Sequence, residues 1–312
     1  MRAVALLVWG LSLSSARAET PLTVAIFAPN APFESGTDRF AFATKMAQQL
    51  ASAGVAPTPK VFAHASDFEA AIQKHQVDFA LVDGVYLAAK GRAFGVLGTA
   101  SFRGEMAPHW ALYSGTASSV HDLAGKKLTL VWAGTHDAAF LDNALFESEL
   151  SVSHFFSQVK SAPDVHSAVA AAALKKTDAV FAPEGSGQGL RRVFEAGRIP
   201  NAAFCQVQKA LAPALVARVK TAMLAMAAVG DFDGFRSSSN DPYRLLGLRM
   251  KPHPKRPVMA EPETIFLDGD VLLPPAFDPA WVDAKELYDS GDSAAVRAQV
   301  IGGALSAPSA MY

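Results

Sequence analysis

Residues 132–140 read Trp-Ala-Gly-Thr-His-Asp-Ala-Ala-Phe, and Trp132, Thr135, His136 and Asp137 all carry groups able to touch a ligand. The stretch follows the apolar run Lys-Lys-Leu-Thr-Leu-Val and precedes a segment with helical spacing. A strand that enters a helix through a small-residue turn presents unpaired N–H groups and the positive end of a dipole, so its usual guest is an anion. Asp137 works against that guest, because a carboxylate repels an anion. It has two uses at such a position: to cap the helix, or to face a ligand of the opposite charge. His136 has no second His or Cys at metal-ligand spacing nearby, so no metal centre is expected. Glu34, Asp83 and Glu184, with Phe33 and Tyr86, follow other predicted strands. Open α/β sheets bind ligands at strand exits. The nine residues named therefore form one candidate ligand-binding set, and its acids suit a cationic, zwitterionic or hydroxylated solute. No nucleophile with a matching base stands out, so neither catalysis nor a cofactor is expected.

The elements that must position these residues alternate. Leu22–Phe27 reads as a buried strand, and the spacing of Phe40, Ala43, Ala47 and Leu50 predicts a helix that stops at Gly54. Lys60–His64 is a second strand. Ser66-Asp67-Phe68-Glu69 reads as a capping box opening a helix to His75. Val77–Gly84 is a third strand. The pattern restarts at Lys126: strand, helix over 137–150, strand over 153–160, helix from Asp164, strand from Asp178. Two stretches, 66–84 and 163–185, echo each other, each with a helix ending in Lys, an Asp opening the next strand and an acid-Gly turn. This is the pattern of two α/β lobes of like topology. A last helix begins near Pro213, with Leu215, Val216, Val219, Ala222, Met223 and Met226 on its buried stripe. From about Ser237 periodicity fades, and nine of the nineteen prolines follow residue 240. That end reads as an extended tail wrapping the surface, docked by Tyr243, Phe266, Trp281 and Tyr288, with a short helix near 292–300.

Residues 1–18 read as a secretory leader: Arg2, an apolar stretch too short to span a bilayer, then Ala16-Arg17-Ala18 before Glu19. A periplasmic, soluble product cleaved before Glu19 is expected. The leader takes two of the 28 basic residues and none of the 29 acidic ones, leaving a mature chain acidic by about three charges. That balance argues against nucleic acid or an anionic membrane as partner. Cys205 is the single cysteine, so no internal disulfide forms and it reads as a small buried hydrophobe.

Four stretches together resemble the periplasmic solute-binding proteins of the phosphate/phosphonate type: His75–Ala89, Ser118–Phe140, Ala162–Ala182 and Leu211–Met226. The second contains Asp-Leu-Ala-Gly-Lys-Lys-Leu, the most specific of the motifs. The resemblance implies a two-lobed class II periplasmic-binding-protein fold, here with a Pro-rich C-terminal extension. The expected division is a signal peptide over 1–18, a first lobe of 19–109 plus 204–238, a second lobe of 110–203 and a tail of 239–312. The resemblance also implies chain crossings near 108–113 and 202–206, a hinge, a monomer, and delivery of the ligand to an inner-membrane ABC transporter. In that family the turn matching 134–137 is rich in Ser and Thr and wraps a phosphonate. Here only Thr135 keeps that pattern, Asp137 stands where a glycine is usual, and Pro163 stands where a His is expected. Tyr86 is kept, with Asp83 where a proline is usual. The expected ligand is therefore not a simple phosphonate. Two other readings stay open. One is a carrier of an apolar lipid or sterol-like molecule, lined by Phe27, Phe33, Tyr86, Phe102, Trp110, Trp132 and Phe140. The other is a ferric-ion binder using Tyr86, His136, Asp137 and Asp83.

Overall fold

The computed structural model describes residues 22–134 and 137–252. The leader and its cleavage site lie outside the described residues, as do Phe266, Trp281, Tyr288 and the helix expected near 292–300.

Short runs rich in β-branched and aromatic residues build two sheets. The first holds β1 (Thr23–Phe27), β2 (Thr58–Val61), β3 (Phe79–Val82), β4 (Gly95–Phe102), β10 (Ala203–Gln206) and β11 (Phe232–Arg236), in the order β11-β4-β10-β3-β1-β2. The second holds β5 (His109–Ser114), β6 (Lys127–Val131), β7 (Gln158–Ala162), β8 (Ala179–Pro183) and β9 (Arg191–Arg198), in the order β7-β6-β8-β5-β9. β1 runs parallel to β2 and β3, and β6 runs parallel to β7 and β8. Parallel strands covered on both faces need side chains that are apolar throughout, and β3 is buried at all four positions. The chain passes between the sheets over 103–108 and 199–202, just ahead of the expected crossings. Residues 109–113 and 203–206 are strands within the sheets.

The echo between 66–84 and 163–185 has a physical basis. Asp78 accepts a hydrogen bond from the Thr23 N–H at 2.8 Å, and Asp178 accepts one from the Lys127 N–H at 2.8 Å. In each sheet an aspartate just before one strand, β3 or β8, pins the start of the parallel strand beside it, β1 or β6.

Helices cover the sheets. α1 (Gly36–Ser52) is capped by Ser35, whose hydroxyl accepts from the Asp38 N–H. Its buried stripe is Arg39, Phe42, Ala43, Met46, Ala47 and Leu50. The expected stripe was one residue out at its start, since Phe40 is 55% exposed. α2 (Ala65–Gln73) begins after His64 with no side-chain cap, so Ser66–Glu69 forms no capping box. α3 (Gly84–Lys90) follows β3 directly. In the second lobe, α4 (Asp137–Ala139) runs into a π-wound stretch over Phe140–Leu145 and stops. The expected helix to 150 is broken at Glu147 and Ser148, both at positive φ. Residues 152–155 form the short α5 (Val152–Phe155), so the strand expected over 153–160 starts only at Gln158. α6 (Val165–Ala173) is capped by Asp164, which accepts from the Ser167 N–H at 2.7 Å. α7 (Pro213–Leu224) has proline in its first turn and buries Val219, Ala222 and Met223, with Leu215 and Val216 partly buried beside them.

The stretch after Ser237 is not extended where it is described. It forms α8 (Asp241–Arg249), and Tyr243 docks it as expected, bonding Thr99 at 2.8 Å and the Asn201 carbonyl at 3.0 Å. A Cβ at Gly247 would lie 2.5 Å from the Ala88 carbonyl oxygen, so glycine lets α8 lie directly on α3. At its far end Arg249 donates to the Ala144 and Arg198 carbonyls of the second lobe, and Asn143 donates to the Met250 carbonyl. α8 thus ties the lobes together behind the crossings. The apolar core does the same. One cluster runs from Phe27, Phe68 and Tyr86 through Trp110 and Phe140 to Phe181. Among the described residues no helix is long and apolar enough to cross a membrane.

Candidate functional site

The ends of β1, β3, β6 and β8 meet where the lobes face each other, and the acids that follow these strands take different roles. Asp83 is 1% exposed and accepts from the Asn30 N–H at 3.0 Å, the Asn30 side-chain amide at 3.2 Å and the Val85 N–H at 2.9 Å. It caps α3 and ties the loop after β1 to it. Burial pushes its carboxyl above the usual range, against the pull of these donors.

Asp137 answers the question set by its turn. It is 1% exposed, and its two carboxylate oxygens accept from the Ala133 N–H at 2.9 Å and the Gly134 N–H at 2.8 Å. The turn holds an anion, and that anion is its own side chain. Burial raises the Asp137 carboxyl to about 6; the two N–H groups oppose the shift, and nearby Asp83 adds to it. Tyr86 closes this corner from the first lobe. A Cβ at Gly134 would sit 3.6 Å from its ring. The Tyr86 hydroxyl donates to Glu69 at 3.2 Å, and Lys90 pairs with the same carboxylate at 2.7 Å. The cavity left among Glu69, Tyr86, Gly134 and Asp137 is about 10 Å³, about enough for one water. Thr135 and His136 lie outside the described residues.

The larger opening lies elsewhere between the lobes. A cleft of about 350 Å³ is lined by Pro32, Phe33, Glu34, Arg103 and Asp231 on one side, and by Val165, His166, Val169, Ala170, Gly185, Ser186 and Gln188 on the other. Of the predicted set, Phe33 and Glu34 reach it. Phe33 is itself buried against Phe42 and Phe102. Glu184 sits one residue before Gly185, on the surface, paired with Arg192 at 3.3 Å. Trp132 is 44% exposed. Asp83, Tyr86 and Asp137 gather around two much smaller cavities instead. Sequence reasoning passed over Arg103, which donates to Asp231 at 2.6 Å and to the Gly185 carbonyl at 3.3 Å, bridging the lobes at the rim of the cleft. It also passed over Arg39, 4% exposed on the first turn of α1, whose guanidinium stands 3.9 Å from Asp164 across the lobe boundary. A signal for Arg39 was present: a charged residue occupies the first position of an apolar i, i+3, i+4, i+7 stripe.

No family model and no curated protein matches the chain. Solved structures do. A Xanthomonas citri protein solved bound to ATP matches with a TM-score of 0.55 and 12% identity, over 74% of this chain and 97% of that one. A binding-protein component of an ABC phosphonate transporter from Pseudomonas aeruginosa matches at 0.56 and 14%, over 74% and 86%. PhnD1 from Prochlorococcus marinus, solved with methylphosphonate, matches at 0.56 and 10%, over 73% and 96%. Likeness at such identities speaks for architecture. The chain has the two-lobed α/β fold of the class II periplasmic solute-binding proteins.

Proposed function

We propose that this protein is an exported, monomeric solute-binding protein that holds one small polar solute between its lobes and presents it to an inner-membrane ABC transporter. It performs no chemistry on that solute. The observation that carries the reading is the 350 Å³ cleft, walled from both lobes and bordered by both charged and apolar groups. At about 350 Å³ it falls within the usual range of small-molecule pockets, roughly 300–1,000 Å³. A phosphonate is disfavoured because the turn that would cradle it is filled by the Asp137 carboxylate. An apolar carrier is disfavoured because Phe33 alone of these aromatics borders the cleft, while Phe27, Tyr86, Phe102, Trp110 and Phe140 are buried in core packing. A ferric site is disfavoured because two of its expected ligands, Asp83 and Asp137, turn their carboxylates onto backbone N–H groups of the chain itself.

The test fills the cleft. The low-molecular-weight fraction of a periplasmic extract is expected to raise the melting temperature of the mature protein by about 5 °C. Ala170→Trp, which puts an indole into the cleft from the surface of α6, should fold normally and show no rise. Equal rises in both proteins would place the solute elsewhere and defeat the reading.

A further inference from the structure

We infer that the solute carries a carboxylate and that Arg39 receives it beside the N-terminus of α6; this rests on the solute-binding reading above. Arg39 reaches from the first turn of α1 in one lobe to the N-cap of α6 in the other. Its side chain is 5% exposed, and its Nε and one terminal nitrogen (Nη2) are buried with no hydrogen-bond partner. Those two N–H groups lie along one edge of the guanidinium, the edge that meets both oxygens of a carboxylate at once. Its ion-pair neighbour, an Asp164 oxygen at 3.9 Å, is beyond hydrogen-bond range, and the other oxygen of Asp164 is engaged with Ser167. A buried guanidinium left with unpaired N–H groups is costly, and a site that waits for an acceptor explains the cost.

The surroundings select the kind of acceptor. Phe33 and Glu34 lead into α1, Val165 and His166 open α6, and all four border the cleft. The nine-residue α6 adds the positive end of its dipole. Arg39 already faces the Asp164 carboxylate, and Asp83 also acts on its charge, so the site tolerates one further negative charge better than two. A phosphate dianion would also meet Asp164 and Glu34, like charges that work against it. The Glu34 carboxylate on the cleft wall suits an ammonium or hydroxyl at the other end of the same molecule. The chemical class is thus a small carboxylic acid with a cationic or hydroxylated remainder.

The experiment uses the periplasmic fraction as probe, so that the solute need not be known beforehand. One portion is treated with carbodiimide and methylamine, which converts carboxylates to amides; a second is treated with alkaline phosphatase; a third is mock-treated. The phosphatase and mock portions should stabilise the wild-type protein equally, and the amidated portion should not. Arg39→Met should fold with unchanged or higher stability, because it replaces a poorly paired buried charge by an apolar chain of similar volume. It should respond to the fraction about a hundredfold more weakly. Arg39→Lys should be weak as well, since it keeps the charge and loses the paired edge. Stabilisation by the amidated portion, loss with phosphatase, or an undiminished response in Arg39→Met would overturn the carboxylate assignment while leaving a solute receptor standing. No stabilisation of the wild-type protein by any portion would overturn both. A large fall in the unliganded stability of Arg39→Met would make Arg39 a structural ion-pair residue and overturn the assignment alone.

Discussion

Gly84→Ala is expected to lower the unfolding free energy by about 3 kcal/mol, the upper end of the usual overpacking cost, although it adds one methyl group. The new Cβ would lie 2.1 Å from the Pro200 carbonyl oxygen and 3.2 Å from the Asn201 carbonyl oxygen. Both neighbours are backbone, so no side-chain rotation relieves the contact. Neither side of the junction yields easily. Asp83 holds the start of α3 to Asn30. Across from it, Asn201 donates to the Met106, Ala100 and Glu105 carbonyls and accepts from Tyr243. At about 2–4 °C per kcal/mol for a chain of this size, the melting temperature should fall by roughly 6–12 °C. Gly36→Ala is the control. A Cβ there meets nothing within 4 Å, and its effect should stay within about 0.5 kcal/mol. A Gly84→Ala protein as stable as the control would mean that α3 and the 199–202 crossing are not in firm contact.

Asp137→Asn should change how stability depends on pH. The Asp137 carboxyl sits at about 6 in the folded chain, against about 3.9 for an unperturbed aspartate. An acid whose folded value is raised holds its proton more tightly when folded. Its contribution is therefore complete below about pH 4 and lost as pH rises through about 6. For a shift of about two units the loss is up to about 3 kcal/mol. Asparagine has no such titration. In acid the neutral carboxyl still turns an accepting oxygen to each of the Ala133 and Gly134 N–H groups, whereas asparagine has one acceptor and an NH2 that accepts nothing, so the variant should be the weaker protein in acid. Urea unfolding at pH 4.5 and pH 7.5 should show the gap between wild type and variant closing by about 2 kcal/mol at the higher pH. A gap that does not change with pH would mean that Asp137 ionises freely and is not buried between the lobes.

Much of the fold was legible because it rests on local rules. Apolar runs such as Phe79–Val82, and Asp78 and Asp178 before their strands, mark the parallel units in both lobes. β4, β5, β9, β10 and β11 were not assigned, because their partners lie far along the chain and their own patterns are weak. β9 alone carries three arginines and a glutamate. α8 was missed because Asp-Pro and the prolines after it outweighed a short run whose buried positions are only Tyr243 and Leu246. The site was legible in part. Strand exits pointed to Asp83 and Asp137, but no rule of spacing told that these carboxylates turn back onto the Asn30, Val85, Ala133 and Gly134 N–H groups. The cleft residues Arg103, His166 and Asp231, and Arg39 beside the N-cap of α6, are brought together only by the way the two lobes face each other, which leaves no mark on any one segment.

The central claim is that a small polar solute occupies the cleft between the lobes. Native mass spectrometry of the mature chain, purified from a periplasm without detergent and followed by solvent extraction of whatever it carries, tests this most directly. The account predicts one small, water-soluble adduct that is absent from Ala170→Trp. A lipid in the extract, a bound iron, or an adduct retained in full by Ala170→Trp would contradict it.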